Sequence, residues 1–374
     1  MKDSAIYPVF LPHAGCPYQC IYCNQYAVTG MPSSADGGEE LPVRIRDLLE
    51  KYFETARGTG PPGEIAFYGG TFTALDVVTI RRILDVAVPW VLRGRSTGIR
   101  FSTRPDGLSE EICSLLAGYP IRTVELGVQS LSDDVLRNAR RGYSEATVER
   151  SAAMVTKNGW DLGLQLMAGL PGDTAGLFLE SVVKTIRLRP TFVRLYPTLV
   201  LEGTLLAEWF RRGDYRPLSL EEAVEWCVPA MDVLHRAGIP VARMGLHAES
   251  ELDRPGTVLA GPYHPAFGHM VRGGWWRRRV VESLKASAET QDGGILTIHV
   301  TGASVSEVVG HCRENVLHWQ EKMGFEEVRV IGRPDWKKGH FECSVASANR
   351  HDGGGACRRR RRSRNRLQSP DRVL

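Results

Sequence analysis

The sequence predicts an α/β protein: an incomplete (β/α)6 barrel of TIM type, then a small C-terminal α/β domain and a disordered basic tail. Three observations carry that expectation. Short β-rich runs alternate with helix-period segments from residue 8 to about residue 197, the pattern of parallel βαβ units. Six such runs occur, too few for the closed eight-stranded form. Residues able to do chemistry recur just after the predicted strands, where barrels of this kind place their sites.

The candidate strands are residues 8–11, 64–68, 99–103, 123–128, 162–167 and 192–196. The stretches between them read as helices. Residues 75–88 place Leu75, Val78, Ile83, Val86 and Ala87 along one helical face. Residues 144–158 open on a serine cap and stop before Gly159. Residues 201–238 read as two more helices. The second, 219–237, has Ser219 as its cap, and Glu221 and Glu222 in the first turn, where the helix dipole favours acids. Residues 295–300, 304–323, 326–331 and 341–345 read as strand, helix, strand and strand. The expected domains are residues 1–240 for the partial barrel, 241–349 for the C-terminal extension and 350–374 for the tail. No internal repeat is evident.

The apolar fraction of 43% and charged fraction of 24% are ordinary for a soluble globular chain. No apolar run reaches the ~18 residues of a spanning helix, so no membrane partner is expected. The first ten residues hold no apolar core of an export signal. Cys113, Cys227, Cys312, Cys343 and Cys357 are scattered singly and form no disulfide framework. A reducing, cytoplasmic location is the expectation. The net charge of +4 hides an asymmetry. Nine arginines and two aspartates give residues 350–374 a charge of +7, which leaves −3 on the preceding 349 residues. The tail has too little apolar content to fold alone. It reads either as an arm contacting nucleic-acid phosphate or as a solvated end, and it lacks the interleaved aromatics that would stack bases.

Cys16, Cys20 and Cys23 carry the most information. Their spacing is C-x3-C-x2-C, with an aromatic residue, Tyr22, directly before the last cysteine. Three thiolates on one short loop can hold three corners of a cubane 4Fe–4S cluster. The fourth iron then lacks a protein ligand, as catalytic metal sites keep one position open. Such an iron can chelate the amino and carboxylate groups of S-adenosylmethionine and pass an electron to the adjacent sulfonium. The alternatives are free thiols or a zinc site with His13 as fourth ligand. Structural zinc usually wants a second C-x2-C element, and the sequence has none.

The other strand ends add polar groups. After the second comes Gly69-Gly70-Thr71, where paired glycines let a ligand approach the backbone; an ordinary turn would read the same way. After the third comes Ser102-Thr103-Arg104-Pro105-Asp106. Arg104 could grip a carboxylate in bidentate fashion, and Ser102 and Thr103 could bond sugar hydroxyls. On the fourth strand Glu125, Gly127 and Gln129 share a face. A buried Glu125 needs a partner, and Arg104 on the neighbouring strand is the natural candidate. The fifth ends in Gln165-Leu166-Met167-Ala168-Gly169-Leu170-Pro171-Gly172-Asp173, a tight turn with Asp173 opening the next helix. The sixth ends at Tyr196, on the expected substrate side. Beyond the barrel, residues 261–270 gather Tyr263, His264, Phe267 and His269, either as a binding segment or as a packing loop. His264 could be an acid or base near neutral pH. Arg272 and residues 275–279 form a basic–aromatic cluster that reads either as an RNA-contacting patch or as a helix with tryptophan in its core.

The three-cysteine signature resembles that of the radical S-adenosylmethionine superfamily. A wider set resembles the radical domain of the Elongator complex catalytic subunit over about residues 6–240. It comprises Gly15-Cys16-Pro17, Gly69-Gly70-Thr71-Phe72, Thr103-Arg104-Pro105-Asp106, Val124-Glu125-Leu126-Gly127-Val128-Gln129-Ser130, Gly169-Leu170-Pro171-Gly172, Tyr196-Pro197-Thr198 and Leu201-Glu202-Gly203-Thr204. Ala260-Gly261-Pro262-Tyr263-His264-Pro265-Ala266-Phe267-Gly268 is similar to a segment of shorter bacterial relatives. The resemblance implies a 4Fe–4S cluster on Cys16, Cys20 and Cys23. It implies S-adenosylmethionine with its amino group at Gly69, Gly70 and Thr71 and its adenine against residues 168–171. Tyr22, Ser102, Thr103, Arg104, Glu125, Gln129, Gln165, Gly169, Leu170 and Pro171 complete the expected cofactor shell, with Tyr196 and His264 on the substrate side. An electron donor such as flavodoxin or ferredoxin is implied, and tRNA as a substrate through its wobble uridine. The Elongator pyrophosphate loop, R-x-x-G-x-G/A opening a helix, is not found here, so acetyl-CoA chemistry is not expected of these residues. Two other functions compete: radical chemistry on a small molecule, in the manner of oxygen-independent coproporphyrinogen oxidase, and a non-catalytic iron–sulfur protein.

Overall fold

The computed structural model describes residues 5–11, 13–16, 20–29, 40–55, 62–246, 251–287, 293–337 and 339–347. The basic tail with Cys357, and Pro12, Pro17, Tyr18 and Gln19 of the cysteine segment, lie outside the described residues. The chain forms two compact units, the first running to Gly268 and the second beginning at His269.

The first unit is built on a wholly parallel sheet in the order β1 (Ile6–Phe10), β2 (Glu64–Tyr68), β3 (Gly98–Thr103), β4 (Ile121–Gln129), β5 (Asp161–Ala168), β6 (Phe192–Pro197) and β8 (Val241–Met244). A short antiparallel pair, β7 (Val200–Leu201) with β9 (Val258–Ala260), lies outside it. All six expected strands are present, with ends shifted by up to two residues. The seventh, β8, was not expected. It is four residues long between Pro240 and Gly245, carries Arg243, and is only partly buried, so it has neither the length nor the apolar content of its neighbours. Because β8 completes the sheet, the first unit extends past residue 240.

The helices of this unit are α1 (Gln25–Thr29), α2 (Glu40–Thr55), α3 (Val77–Leu92), α4 (Glu110–Leu116), α5 (Asp133–Asn138), α6 (Glu145–Lys157), α7 (Ala175–Arg187), α8 (Leu205–Arg212) and α9 (Leu220–Arg236). Ser219 caps α9 in a full capping box with Glu222. Two expected caps shift. Ser144 stands at the N-cap of α6, but Asp133 Oδ1, at 2.7 Å, takes the first helical N–H. Thr174, not Asp173, caps α7 by accepting from Leu177 N–H. Strand residues such as Ile65, Phe67, Phe101, Val124, Leu126, Leu164 and Leu166 are almost fully buried under this helical layer.

The second unit holds α10, which starts at Phe267 and runs to Ser287, and a three-stranded sheet. Its centre, β10 (Gly294–Thr301), pairs in parallel with β11 (Glu327–Arg333) and antiparallel with β12 (Phe341–Ser347). The single helix expected at 304–323 is broken into α11 (Val305–Val309) and α12 (Glu314–Glu321). The break is at Gly310, whose φ of 82° leaves the helical region, and Cys312 and Arg313 follow with positive φ. Trp275 and Trp276 are buried at 4% and 1% exposure, with the Arg279 guanidinium over both rings and over Phe341. The tryptophans of the basic–aromatic cluster are therefore core and offer no face to a base, while Arg278 is exposed.

Candidate functional site

The cysteine segment follows β1 and is stitched to the turn after β2. Leu11 N–H donates to Tyr68 O at 2.6 Å, His13 N–H to Gly69 O at 2.8 Å and Thr71 N–H to Ala14 O at 2.9 Å. The fit is tight. A Cβ on Gly70 would lie 2.2 Å from Ala14 O, and one on Gly15, which has φ +69°, would lie 2.3 Å from Thr71 O. These glycines let two backbone loops touch, a role additional to the ligand approach expected of the Gly-Gly pair.

Cys16, Cys20 and Cys23 are not disulfide-bonded and are half-buried. Each sulfur has a polar partner. Thr71 Oγ1 is 3.5 Å from Cys16 Sγ, and Gln25 Nε2 donates to Cys23 Sγ at 3.3 Å. Cys20 Sγ receives Arg141 Nη1 at 2.7 Å and Arg104 Nη1 at 3.8 Å. Donors and positive charge around thiols suit thiolates. Burial, reinforced by the Cys20 charge, pushes the Cys23 thiol up to about 12, so a thiolate there needs a bound cation to offset its desolvation. His13, the alternative zinc ligand, has Nε2 accepting from Gln25 N–H at 3.3 Å. Among the described residues no three His, Cys, Asp or Glu side chains close around a single ion. Three sulfur donors, with Gln25 at Cys23 and Arg141 and Arg104 at Cys20, have the donor chemistry an iron–sulfur cluster takes.

Arg141 was not singled out by sequence. It is buried at 3% exposure and also donates to Tyr22 OH (3.0 Å), Gly127 O (2.9 Å) and Tyr143 OH (2.9 Å). Arg104 differs from expectation. Its Nε and Nη2 already grip both oxygens of Asp106 at 2.9 and 2.8 Å, and Nη2 also donates to Arg141 O. It does not pair with Glu125. Of the two candidate hydroxyls beside it, Thr103 is 3% exposed and shares a 2.6 Å hydrogen bond with Thr73, whereas Ser102 is half-buried and in register with Glu125.

Glu125 instead centres a buried network in the sheet's polar face. It accepts from Tyr68 OH at 2.7 Å, Arg100 Nη1 at 3.1 Å and Arg194 Nη2 at 3.0 Å. Arg194 Nε lies 3.0 Å from Glu125 Oε2, close enough for an ion pair but out of line for a hydrogen bond. Arg100 also holds Glu64 with two bonds of 3.0 and 3.1 Å. Burial opposes charge on Arg100, but the Glu64 bonds and the Glu125 charge win and raise its pKa. Burial and the adjacent carboxylate raise that of Tyr68. Gln165 Nε2 donates to Gln129 Oε1 at 3.2 Å, above this network. Gln129 itself sits where β4 slips register, at φ 67°. Tyr196 is half-buried, with Arg194 Nη1 3.5 Å from its hydroxyl.

At the end of β5, Gly169 and Gly172 turn the chain with positive φ as expected. Several backbone groups of that turn are already engaged. Ala168 O accepts from Thr198 twice, Gly169 O accepts from Tyr215 OH at 2.6 Å, and Gly169 N–H donates to Asp173. Leu170 is 2% exposed. A cavity of about 320 Å³ adjoins Gly169, Leu170, Pro171 and Asp173. Burial pushes the Asp173 carboxyl up to about 7, against the pull of the Gly169 and Thr174 N–H groups. His264 Nδ1 accepts from Ala266 N–H at 3.0 Å, and Tyr263 OH donates to Asp253 at 2.8 Å from within an apolar cluster. Both contacts fit the packing-loop alternative.

The profile of the Radical SAM superfamily matches residues 10–183, and that of the Radical_SAM C-terminal domain matches residues 190–275. The chain belongs to the radical S-adenosylmethionine superfamily. The cofactors of that superfamily are a 4Fe–4S cluster and S-adenosylmethionine. A tRNA uridine(34) acetyltransferase of Methanocaldococcus infernus is 28% identical over 257 residues, 59% of this chain and 48% of that protein. Elongator complex protein 3 of Homo sapiens is 32% identical over 182 residues, 43% of this chain and 33% of that protein. The chain thus spans about half the length, or less, of these curated relatives. Among solved structures, archaeal Methanocaldococcus infernus Elp3 lacking residues 1–46 aligns with a TM-score of 0.54 and 21% identity, over 76% of this chain and 64% of that one. At that identity the likeness shows the fold. Among the described residues no helix is long and apolar enough to cross a membrane.

Proposed function

We propose that this radical S-adenosylmethionine enzyme cleaves S-adenosylmethionine reductively and acts on tRNA, at the wobble uridine. The observation that carries the first part is the three-cysteine loop, pinned to the Gly69-Gly70-Thr71 turn, with Arg141 and Arg104 directed at Cys20 Sγ. The second part rests on similarity to tRNA uridine(34) acetyltransferases and Elongator complex protein 3. The acetyl transfer in the relatives' name is not part of the proposal.

Cys16, Cys20 and Cys23 hold the cluster. When bound, the cluster would supply one electron to the sulfonium of S-adenosylmethionine, whose S–C5′ bond would break to give methionine and a 5′-deoxyadenosyl radical. The chain's own residues do the rest. Arg141 and Arg104 place positive charge beside Cys20 and hold the loop against β4. The Gly69-Gly70-Thr71 turn, Ser102, Gln129, Gln165 and the turn at Gly169-Leu170-Pro171 surround the cofactor, with Tyr196 toward the substrate. Glu64, Glu125, Arg100, Arg194 and Tyr68 make a charge-balanced network beside them. Three uncrosslinked thiols suit a reducing cytoplasm, with a flavodoxin or ferredoxin as electron donor.

The test is to incubate the reconstituted, reduced protein with S-adenosylmethionine and a tRNA pool, then analyse the nucleosides by mass spectrometry. A new mass on uridine 34, lost in Cys20→Ala, supports the reading. Consumption of S-adenosylmethionine that tRNA neither stimulates nor records would point to a small-molecule substrate instead.

A further inference from the structure

We propose that the surface formed by Arg140 and α8 is the docking site of the electron donor, a small acidic one-electron carrier protein. The inference rests on the cluster reading above. Arg140 and Arg141 are neighbours with opposite fates. Arg140 has φ 50°, a left-handed conformation that is strained for arginine. The backbone there sends Arg141 inward to within 2.7 Å of Cys20 Sγ and leaves Arg140 exposed. The Arg140 guanidinium lies 5.6 Å from the centre of the Trp209 ring on α8. The same helix is tied to the cysteine loop: Leu206 N–H donates to Ile21 O at 2.8 Å, and Trp209 and Phe210 belong to the apolar cluster that holds Ile21 and Tyr22. A partner seated on Arg140 and Trp209 is thus one residue removed from a group touching a cluster ligand.

The charges favour a protein over a nucleic acid. Three nearby arginines are matched by acids: Arg137 by Asp134, Arg211 by Glu202 and Arg212 by Asp214. Arg140 has no carboxylate partner among the described residues. A polyanion would meet those three carboxylates unfavourably, since nucleic-acid surfaces rely on many unpaired cations. One open cation on an aromatic ring, inside a rim of mixed sign, suits a small carrier presenting its own acid. On contact the reduced carrier loses one electron and the enzyme gains it; no bond or proton moves.

The test uses the full chain and a purified flavodoxin. Binding of oxidised flavodoxin is measured by calorimetry, with and without the reconstituted cluster. Loss of the brown absorbance is then followed with photoreduced flavodoxin and, separately, with dithionite. Arg140→Glu should weaken binding about tenfold or more at low salt and slow flavodoxin-driven reduction by a similar factor, whereas Arg140→Lys should stay near wild type. Reduction by dithionite, and 5′-deoxyadenosine formed with it, should not change. The proposal is overturned if wild type does not bind flavodoxin, if Arg140→Glu binds it normally, if both reductants slow equally, or if Arg140→Glu loses tRNA binding while keeping flavodoxin. Failure of the wild type to form 5′-deoxyadenosine with dithionite would instead remove the functional reading beneath it.

Discussion

Replacing Glu125 with glutamine should unbalance the charged network of the sheet. Wild type places two guanidinium groups, Arg100 and Arg194, against two carboxylates, Glu64 and Glu125. Glutamine keeps the volume and one acceptor for Tyr68 but removes one charge. Arg100 retains both bonds to Glu64. Arg194 loses the only carboxylate it meets among the described residues, while 15% exposed in its side chain. Removing one partner of a buried pair costs about 3–5 kcal/mol, and with Arg100 still satisfied the lower end is expected, about 3 kcal/mol. At about 2–4 °C per kcal/mol for a unit of this size, the melting temperature should fall by roughly 6–12 °C. Arg194→Met in the same chain removes the stranded charge, so the double variant should recover part of the loss, with a coupling of about 1–3 kcal/mol. Thermal unfolding of the four chains, followed by far-ultraviolet circular dichroism, measures this. A single variant within about 0.5 kcal/mol of wild type, the spread of ordinary surface substitutions, or strictly additive losses, would show that the network is solvated and refute the reasoning.

Three further outcomes are expected. Gly70→Ala puts a Cβ 2.2 Å from Ala14 O and must displace the cysteine loop; the chain should fold yet take up far less iron and sulfide, which elemental analysis would show, and normal loading would contradict the tight apposition. Trp276→Ala empties a fully buried site and should cost about 3–5 kcal/mol without altering tRNA affinity in a filter-binding assay; a tRNA defect in a folded variant would return the cluster to the surface. The carboxyl of Asp173 is raised in the folded state, so folding retains a proton that the unfolded chain releases, and its effect on stability worsens as pH climbs from about 4 to about 7. Asp173→Asn should therefore gain on wild type over that window, by at most about 4 kcal/mol for a shift of about three units; a constant difference across pH would sink this account.

The sequence was most legible where a local pattern has one physical meaning. The C-x3-C-x2-C spacing, the strand-end glycines and the six long strands needed only neighbours in the chain. Glu125 was legible as a polar residue in an apolar strand, and the same signal marks Arg100 between Ile99 and Phe101, but which charges meet depends on sheet register. That is why Arg104 looked like the partner when Arg100 and Arg194 are. Arg141 left no periodic trace. Its inward course follows from the left-handed backbone at Arg140, a conformation that arginine does not advertise. Strand β8 was hidden by its brevity. The break at Gly310 was visible as a glycine inside a helical pattern, but only packing decides whether such a glycine is tolerated or ends the helix.

The central claim is that the three cysteines arm this chain for reductive cleavage of S-adenosylmethionine. The most direct test is anaerobic: reconstitute with iron and sulfide, reduce with dithionite, add S-adenosylmethionine and quantify 5′-deoxyadenosine by chromatography. The account predicts 5′-deoxyadenosine from wild type and none from Cys16→Ala, Cys20→Ala or Cys23→Ala, each of which should also lose the brown chromophore. A wild-type protein with a verified four-iron cluster that forms none, or a cysteine variant that keeps its cluster, would contradict it.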